Sequence, residues 1–270
     1  MSRVADLHTT TLGESGPWVV FCHGLFGQGK NWTTAAKTLA GSHRVLLVDM
    51  PNHGRSAWTD HLDYVDMADA VAELLDPAEP AALVGHSMGG KAAMLLALRH
   101  PELVERLCVV DMSPVTYEEG GREEFGRYIR AMRSLDLAAL ETRAQADEAM
   151  SEAAPSPTVR GFLLQNLRRD TAEGGASWRW QPNLELLAEE LDVLGSWPED
   201  RVADAPPYDG PVLWVAGAES PYVQPEHAEA MERLFPRVRK VTVKNAGHWV
   251  HSQQPEVFAE VLRRFVDAPA

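Results

Sequence analysis

The sequence predicts an α/β fold: a mostly parallel sheet with helices on both faces, interrupted by a helical insertion. Two observations predict it. Short β-branched runs alternate with amphipathic helical stretches up to residue 113, and the same rhythm returns from residue 209. Between them, residues 114–208 read as helical or irregular, with prolines clustered at Pro155/Pro157 and Pro206/Pro207. Residues 1–113 and 209–270 are therefore expected to form one core, and 114–208 a cap over the C-terminal edge of its sheet, where α/β folds place their ligands.

The elements follow in order. Trp18–Cys22 reads as a strand, Asn31–Ala40 as a helix and Arg44–Val48 as a strand. Tyr64–Leu75 reads as a helix because Val65, Ala68, Val71, Ala72 and Leu75 share one face. Ala81–Val84 is a strand, Met88–Arg99 a helix and Arg106–Val110 a strand. Beyond the insertion come strand Val212–Ala216, a helix near Pro225–Phe235, strand Val238–Val243 and a closing helix Pro255–Val266. No internal repeat or low-complexity tract breaks this pattern.

Composition excludes several functions. The chain has 39 acidic and 25 basic residues, a formal charge of −14, and no basic stripe to offset it. That balance repels phosphate backbones and anionic membrane surfaces, so neither nucleic acid nor a membrane is an expected partner. No apolar run reaches the length of a membrane span, and the N-terminal MSRVADLHTTT lacks a signal-peptide core. The two cysteines, Cys22 and Cys108, sit in strand-like runs and read as buried free thiols. A cytoplasmic location is the expectation. No HExxH or Cys/His spacing suggests a metal, and no cofactor is implied.

Gly85-His86-Ser87-Met88-Gly89 carries the strongest chemical signal. It follows one predicted strand directly and opens a predicted helix. A serine on such a turn exposes its Oγ at a helix N-terminus, where positive partial charge favours a developing oxyanion. Flanking glycines let strand and helix approach closely. Ser87 is therefore the expected nucleophile. Acyl transfer also needs two backbone N–H donors for the tetrahedral oxygen. Met88, next to the nucleophile, should give one. His23-Gly24-Leu25-Phe26-Gly27, after the first strong strand, should give the other, from Leu25 first and Phe26 second.

The base should lie late in the chain. Of the ten histidines, His248 in Asn245-Ala246-Gly247-His248-Trp249 sits in a glycine-preceded loop after a late strand. His23, His53, His86 and His251 read as structural or supporting. The residues leave two acids open. Asp111 ends the strand after the elbow helix, and Glu219 ends the strand after the cap, beside Ser220-Pro221. Asp49 precedes the elbow and reads as a turn anchor.

Together, HGLFG followed by NW, DMPNHGRS, GHSMGGK, VVDMSPV and NAGHWVH resemble the YbfF-type esterases of the α/β-hydrolase superfamily, from about residue 17 to 255. Lys91, in Gly89-Gly90-Lys91, narrows the resemblance to this branch. The resemblance implies a triad of Ser87, Asp111 and His248, and activity on small-molecule esters of short to medium acyl chain or on acyl thioesters. The same constellation would serve a cofactor-free perhydrolase, and a non-catalytic ligand receptor on this fold is the remote alternative. Phe125, Tyr128, Phe162, Trp178, Trp180 and Trp197 give the cap enough apolar surface for an acyl pocket. Phe26 and Trp249, beside the predicted donor and base, are further candidate pocket residues.

Overall fold

A computed structural model describes residues 5–117, 121–170 and 177–269. The strands are β1 (Thr9–Leu12), β2 (Trp18–Cys22), β3 (Arg44–Val48), β4 (Ala81–His86), β5 (Val104–Val110), β6 (Leu167–Asp170), β7 (Ser177–Trp180), β8 (Val212–Gly217) and β9 (Val238–Val243). The helices are α1 (Thr33–Leu39), α2 (Tyr64–Ala72), α3 (Met88–Arg99), α4 (Gly121–Arg133), α5 (Arg143–Ala149), α6 (Pro157–Leu164), α7 (Leu184–Glu189), α8 (Leu191–Gly195), α9 (Glu199–Val202), α10 (Ala228–Leu234), α11 (Val250–Gln253) and α12 (Pro255–Val266).

Seven strands form one sheet in the order β1-β3-β2-β4-β5-β8-β9. Only β1 runs antiparallel, against β3; the remaining neighbours are parallel. Side chains alternate between two cores, as the pleat requires. Val20, Cys22, Leu83, Leu107 and Val109 face α2 and α3. Val19, Phe21, Val84, Cys108 and Val110 face α1 and α12. Burial on both sides is why these strands read as continuous apolar runs rather than as alternating ones. The chain turns one way from β2 to β3 and the other way from β4 onward. The crevice between the C-terminal ends of β2 and β4 is therefore the switch point of the sheet.

The segment between β5 and β8 leaves the sheet and packs over that crevice. Polar contacts join it to the core loops: Gln28 Nε2 donates to Asn166 Oδ1 at 2.7 Å, Gln181 Nε2 to Gly54 O at 3.0 Å, and Trp58 Nε1 to Gln181 O at 3.0 Å. It is not wholly helical. β6 and β7 form an antiparallel hairpin within it, pairing Leu167 with Trp180 and Asp170 with Ser177. Four-residue strands are too short to leave a period-2 signature.

Two expected helices change in extent, and the sheet gains a strand that the sequence pattern did not show. The helix expected over Asn31–Ala40 begins as a 3₁₀ turn at Gly29–Trp32, and α2 stops at Ala72. β1 has a mostly polar sequence, Thr-Thr-Thr-Leu, because it is an edge strand with half-exposed side chains. No described helix is long and apolar enough to cross a membrane. Cys22 and Cys108 are buried free thiols, and burial pushes the Cys22 thiol up to about 12.

Candidate active site

Ser87 closes β4 and caps α3 with φ 53° and ψ −120°. That strain needs space on both sides. A Cβ at Gly85 would lie 2.3 Å from Gly89 O, and one at Gly89 would lie 2.5 Å from Cys22 O. The two glycines are thus what allow strand and helix to meet at Ser87. Among the described residues, five non-glycine residues have positive φ, and Phe26, Ser87 and Asp111 are three of them. Such conformations cost about 1–3 kcal/mol each and persist where packing over-determines them.

Three expected residues meet here. His248 Nε2 lies 3.0 Å from Ser87 Oγ, and His248 Nδ1 lies 2.8 Å from Asp111 Oδ2. The Ser87 hydroxyl donates to Nε2, and Nδ1–H donates to the carboxylate. Asp111 is fully buried, and its charge is met by further donors: Gly217 N–H at 2.9 Å and the Ser220 hydroxyl. Three donors thus satisfy the oxygens of this buried carboxylate. Glu219 does not reach the site. Its side chain is exposed, and its backbone N–H is tied to Ala246 O at 2.9 Å.

The expected oxyanion donors are Leu25 and Met88, both buried. Among the described residues neither N–H meets an acceptor, and neither does that of Phe26. The loop holding Leu25 is drawn against the elbow: a Cβ at Gly24 would lie 2.9 Å from Ser87 Cβ. His23 fixes this loop. Its Nδ1–H donates to Gly24 O at 2.8 Å and its Nε2 accepts from Met50 N–H at 2.9 Å. Burial pushes its pKa down to about 4, so it stays neutral in that role. Asp49 anchors its turn, accepting from Gly29 and Arg55 N–H at 2.7 and 2.9 Å.

Two supporting residues hold the His248 ring. Tyr222 stacks on it, with centroids 4.2 Å apart and planes at 35°. His86 lies 4.7 Å away and donates from Nε2 to His248 O at 2.8 Å. Burial, and then the nearby His248, hold the His86 pKa well below the usual imidazole range. It therefore adds no charge beside a protonated His248. Ser220 and Tyr222 carry no motif that sequence reasoning could use; only the fold brings the segment after β8 beneath the ring.

The apolar residues divide. Leu25, Phe26, Phe125, Tyr128, Phe162 and Trp249 line a small space at Ser87 of about 10 Å³. A second, of about 40 Å³, lies between Ser87, Met112, Tyr117, Leu191, Leu194 and Tyr222. Trp178 is placed elsewhere, in the cap hairpin, with the guanidiniums of Arg143 and Arg169 5.9 and 5.8 Å from its ring. Trp180 donates from Nε1 to Met132 O at 2.9 Å, and Trp197 is buried in the apolar core. These tryptophans assemble the cap and do not line the space at Ser87. A wider cleft of about 760 Å³, around Asp60, His61, Asp63 and Asp66, includes none of the Ser87, Asp111 and His248 group.

The model of the alpha/beta hydrolase fold matches residues 17–255. The chain belongs to that family. It is 41% identical over 258 residues to the sn-1-specific diacylglycerol lipase ABHD11 of Mus musculus, covering 93% of this chain and 81% of the relative. It is 30% identical over 251 residues to esterase YbfF of Escherichia coli (strain K12), covering 92% of each. A solved structure titled marine microorganism esterase superposes with a TM-score of 0.91 at 31% identity, covering 97% of this chain and 99% of that one. The protein is a carboxylesterase-type hydrolase.

Proposed function

We propose that the protein cleaves carboxylic esters of short to medium acyl chain through an acyl-enzyme on Ser87. The relay from Asp111 through His248 to Ser87 Oγ carries this reading. His248 takes the hydroxyl proton as Oγ attacks the ester carbonyl, and Asp111 holds the ring in the tautomer that can accept it. The oxygen that becomes negative is met by the N–H groups of Leu25 and Met88. His248 then protonates the leaving alkoxide, and the alcohol departs. In the second half, His248 activates water against the acyl-enzyme, and the carboxylic acid leaves with Oγ reprotonated.

The relatives named as an esterase and a diacylglycerol lipase support ester substrates. The space at Ser87, about 40 Å³ on its larger side, holds a few water molecules. It favours small acyl groups in this arrangement, and longer chains require the cap to shift.

A p-nitrophenyl ester series with intact-mass fluorophosphonate labelling tests the reading. The wild type should take one label. Ser87→Ala should take none and lose turnover by at least about 10⁴-fold. Labelling of the alanine variant at the wild-type rate overturns it.

A further inference from the structure

Lys91 stands one turn along α3 from Ser87, its N–H donating to Ser87 O at 3.1 Å. Its side chain leaves the helix toward the cap and is fully buried. Nζ donates to Gly195 O at 2.8 Å and to Ser196 O at 2.5 Å. These are carbonyls at the C-terminal end of α8, where the helix has no partners of its own to offer. The ammonium also lies 5.0 Å from the Tyr117 ring centroid and 5.5 Å from that of Tyr64. Those faces suit a cation better than they suit a neutral amine. Burial pushes the ammonium's pKa down to about 7.

Other hydrogen bonds grip the same turn. Tyr64 Oη donates to Leu194 O at 2.8 Å, Tyr117 N–H to Gly195 O at 3.0 Å, and Trp197 N–H to Thr116 Oγ1 at 2.9 Å. Leu191, Leu194 and Gly195 form one wall of the larger space at Ser87, and Tyr117 and Tyr222 form another. Tyr117 Oη donates to Tyr222 O at 2.6 Å, and their rings meet edge to face at 5.3 Å. Tyr222 in turn stacks on His248. One ammonium, rooted beside the nucleophile, thus reaches both the cap wall and the support of the base.

We propose that Lys91 is a positioning residue that sets acyl-chain selectivity by clamping the Gly195–Ser196 turn of the cap against the elbow helix, a role that rests on the Ser87 acyl-enzyme reading. The cation suits this task better than an apolar residue of the same length. It holds two carbonyls at fixed distance from α3, whereas an apolar side chain would let α8 slide.

The test uses the full-length protein with p-nitrophenyl acetate and octanoate. Lys91→Met keeps the stem and deletes the donors. The octanoate-to-acetate ratio of kcat/KM should move by at least about fivefold, mostly through KM, and Lys91→Arg should move it less. Loss of folding alone would scale both esters by one factor. If Lys91→Met does not fold, Tyr64→Phe removes the adjacent grip on Leu194 O and should shift the ratio in the same direction. A folded variant with an unchanged ratio, or with both esters lowered equally, overturns the role. Ser87→Ala is labelled in parallel. If it takes label at the wild-type rate, the acyl-enzyme reading falls and the Lys91 role with it. If it does not, an unchanged ratio removes the Lys91 role alone.

Discussion

The two sides of the space at Ser87 are built differently. On the core side, each polar group is set by the backbone at the end of a strand: Leu25 after β2, Ser87 after β4, Asp111 after β5 and His248 after β9. On the cap side, Phe125, Tyr128 and Phe162 come from helices whose placement depends on side-chain contacts with the core. All ten histidines lie outside residues 114–208. The core holds Ser87, Asp111 and His248 just beyond strand ends, and the cap supplies shape. Changes on one side should therefore act on rate, and changes on the other on selectivity.

The largest test of that division is Asp111→Asn. The variant should bind ester normally yet lose up to about 10⁴-fold in kcat, because an amide favours the wrong imidazole tautomer. Glu219→Gln, on an exposed side chain, should be mild. Steady-state kinetics on folded variants check the pair, and the reverse ranking would move the acid to Glu219.

A second test addresses the stability of the core. Burial lowers His53 and His251 to about 3 and His23 to about 4, from an ordinary value of 6.5. Between about pH 6.5 and 4 the unfolded chain binds protons that the folded chain refuses, so stability falls as pH drops through that window. Each of these rings should cost about 2 kcal/mol at pH 5. Urea midpoints at pH 7 and pH 5 measure it. A midpoint that does not move would mean that the cluster takes up protons in place.

The smallest effect separates two aromatics within the cap. Phe162→Ala should change the octanoate-to-acetate ratio of kcat/KM by about tenfold, and Trp178→Ala by no more than about twofold. Equal shifts from both would show that the hairpin, too, shapes the acyl space.

The sheet, the glycine-flanked elbow at Ser87 and the late loop at His248 are legible in the residues alone. Each depends on local chain geometry: apolar runs the length of strands, and glycines where a Cβ would strike backbone. The sequence left Asp111 and Glu219 both open from the residues alone, because reach to His248 depends on how β5 and β8 sit side by side. Only the tertiary structure turned Glu219 outward and brought Ser220 to Asp111. It also divided the cap aromatics, seating Phe162 beside Ser87 and Trp178 among arginines. An aromatic residue carries the same apolar surface in either place. Which surface it covers is decided by long-range packing, and composition holds no record of that.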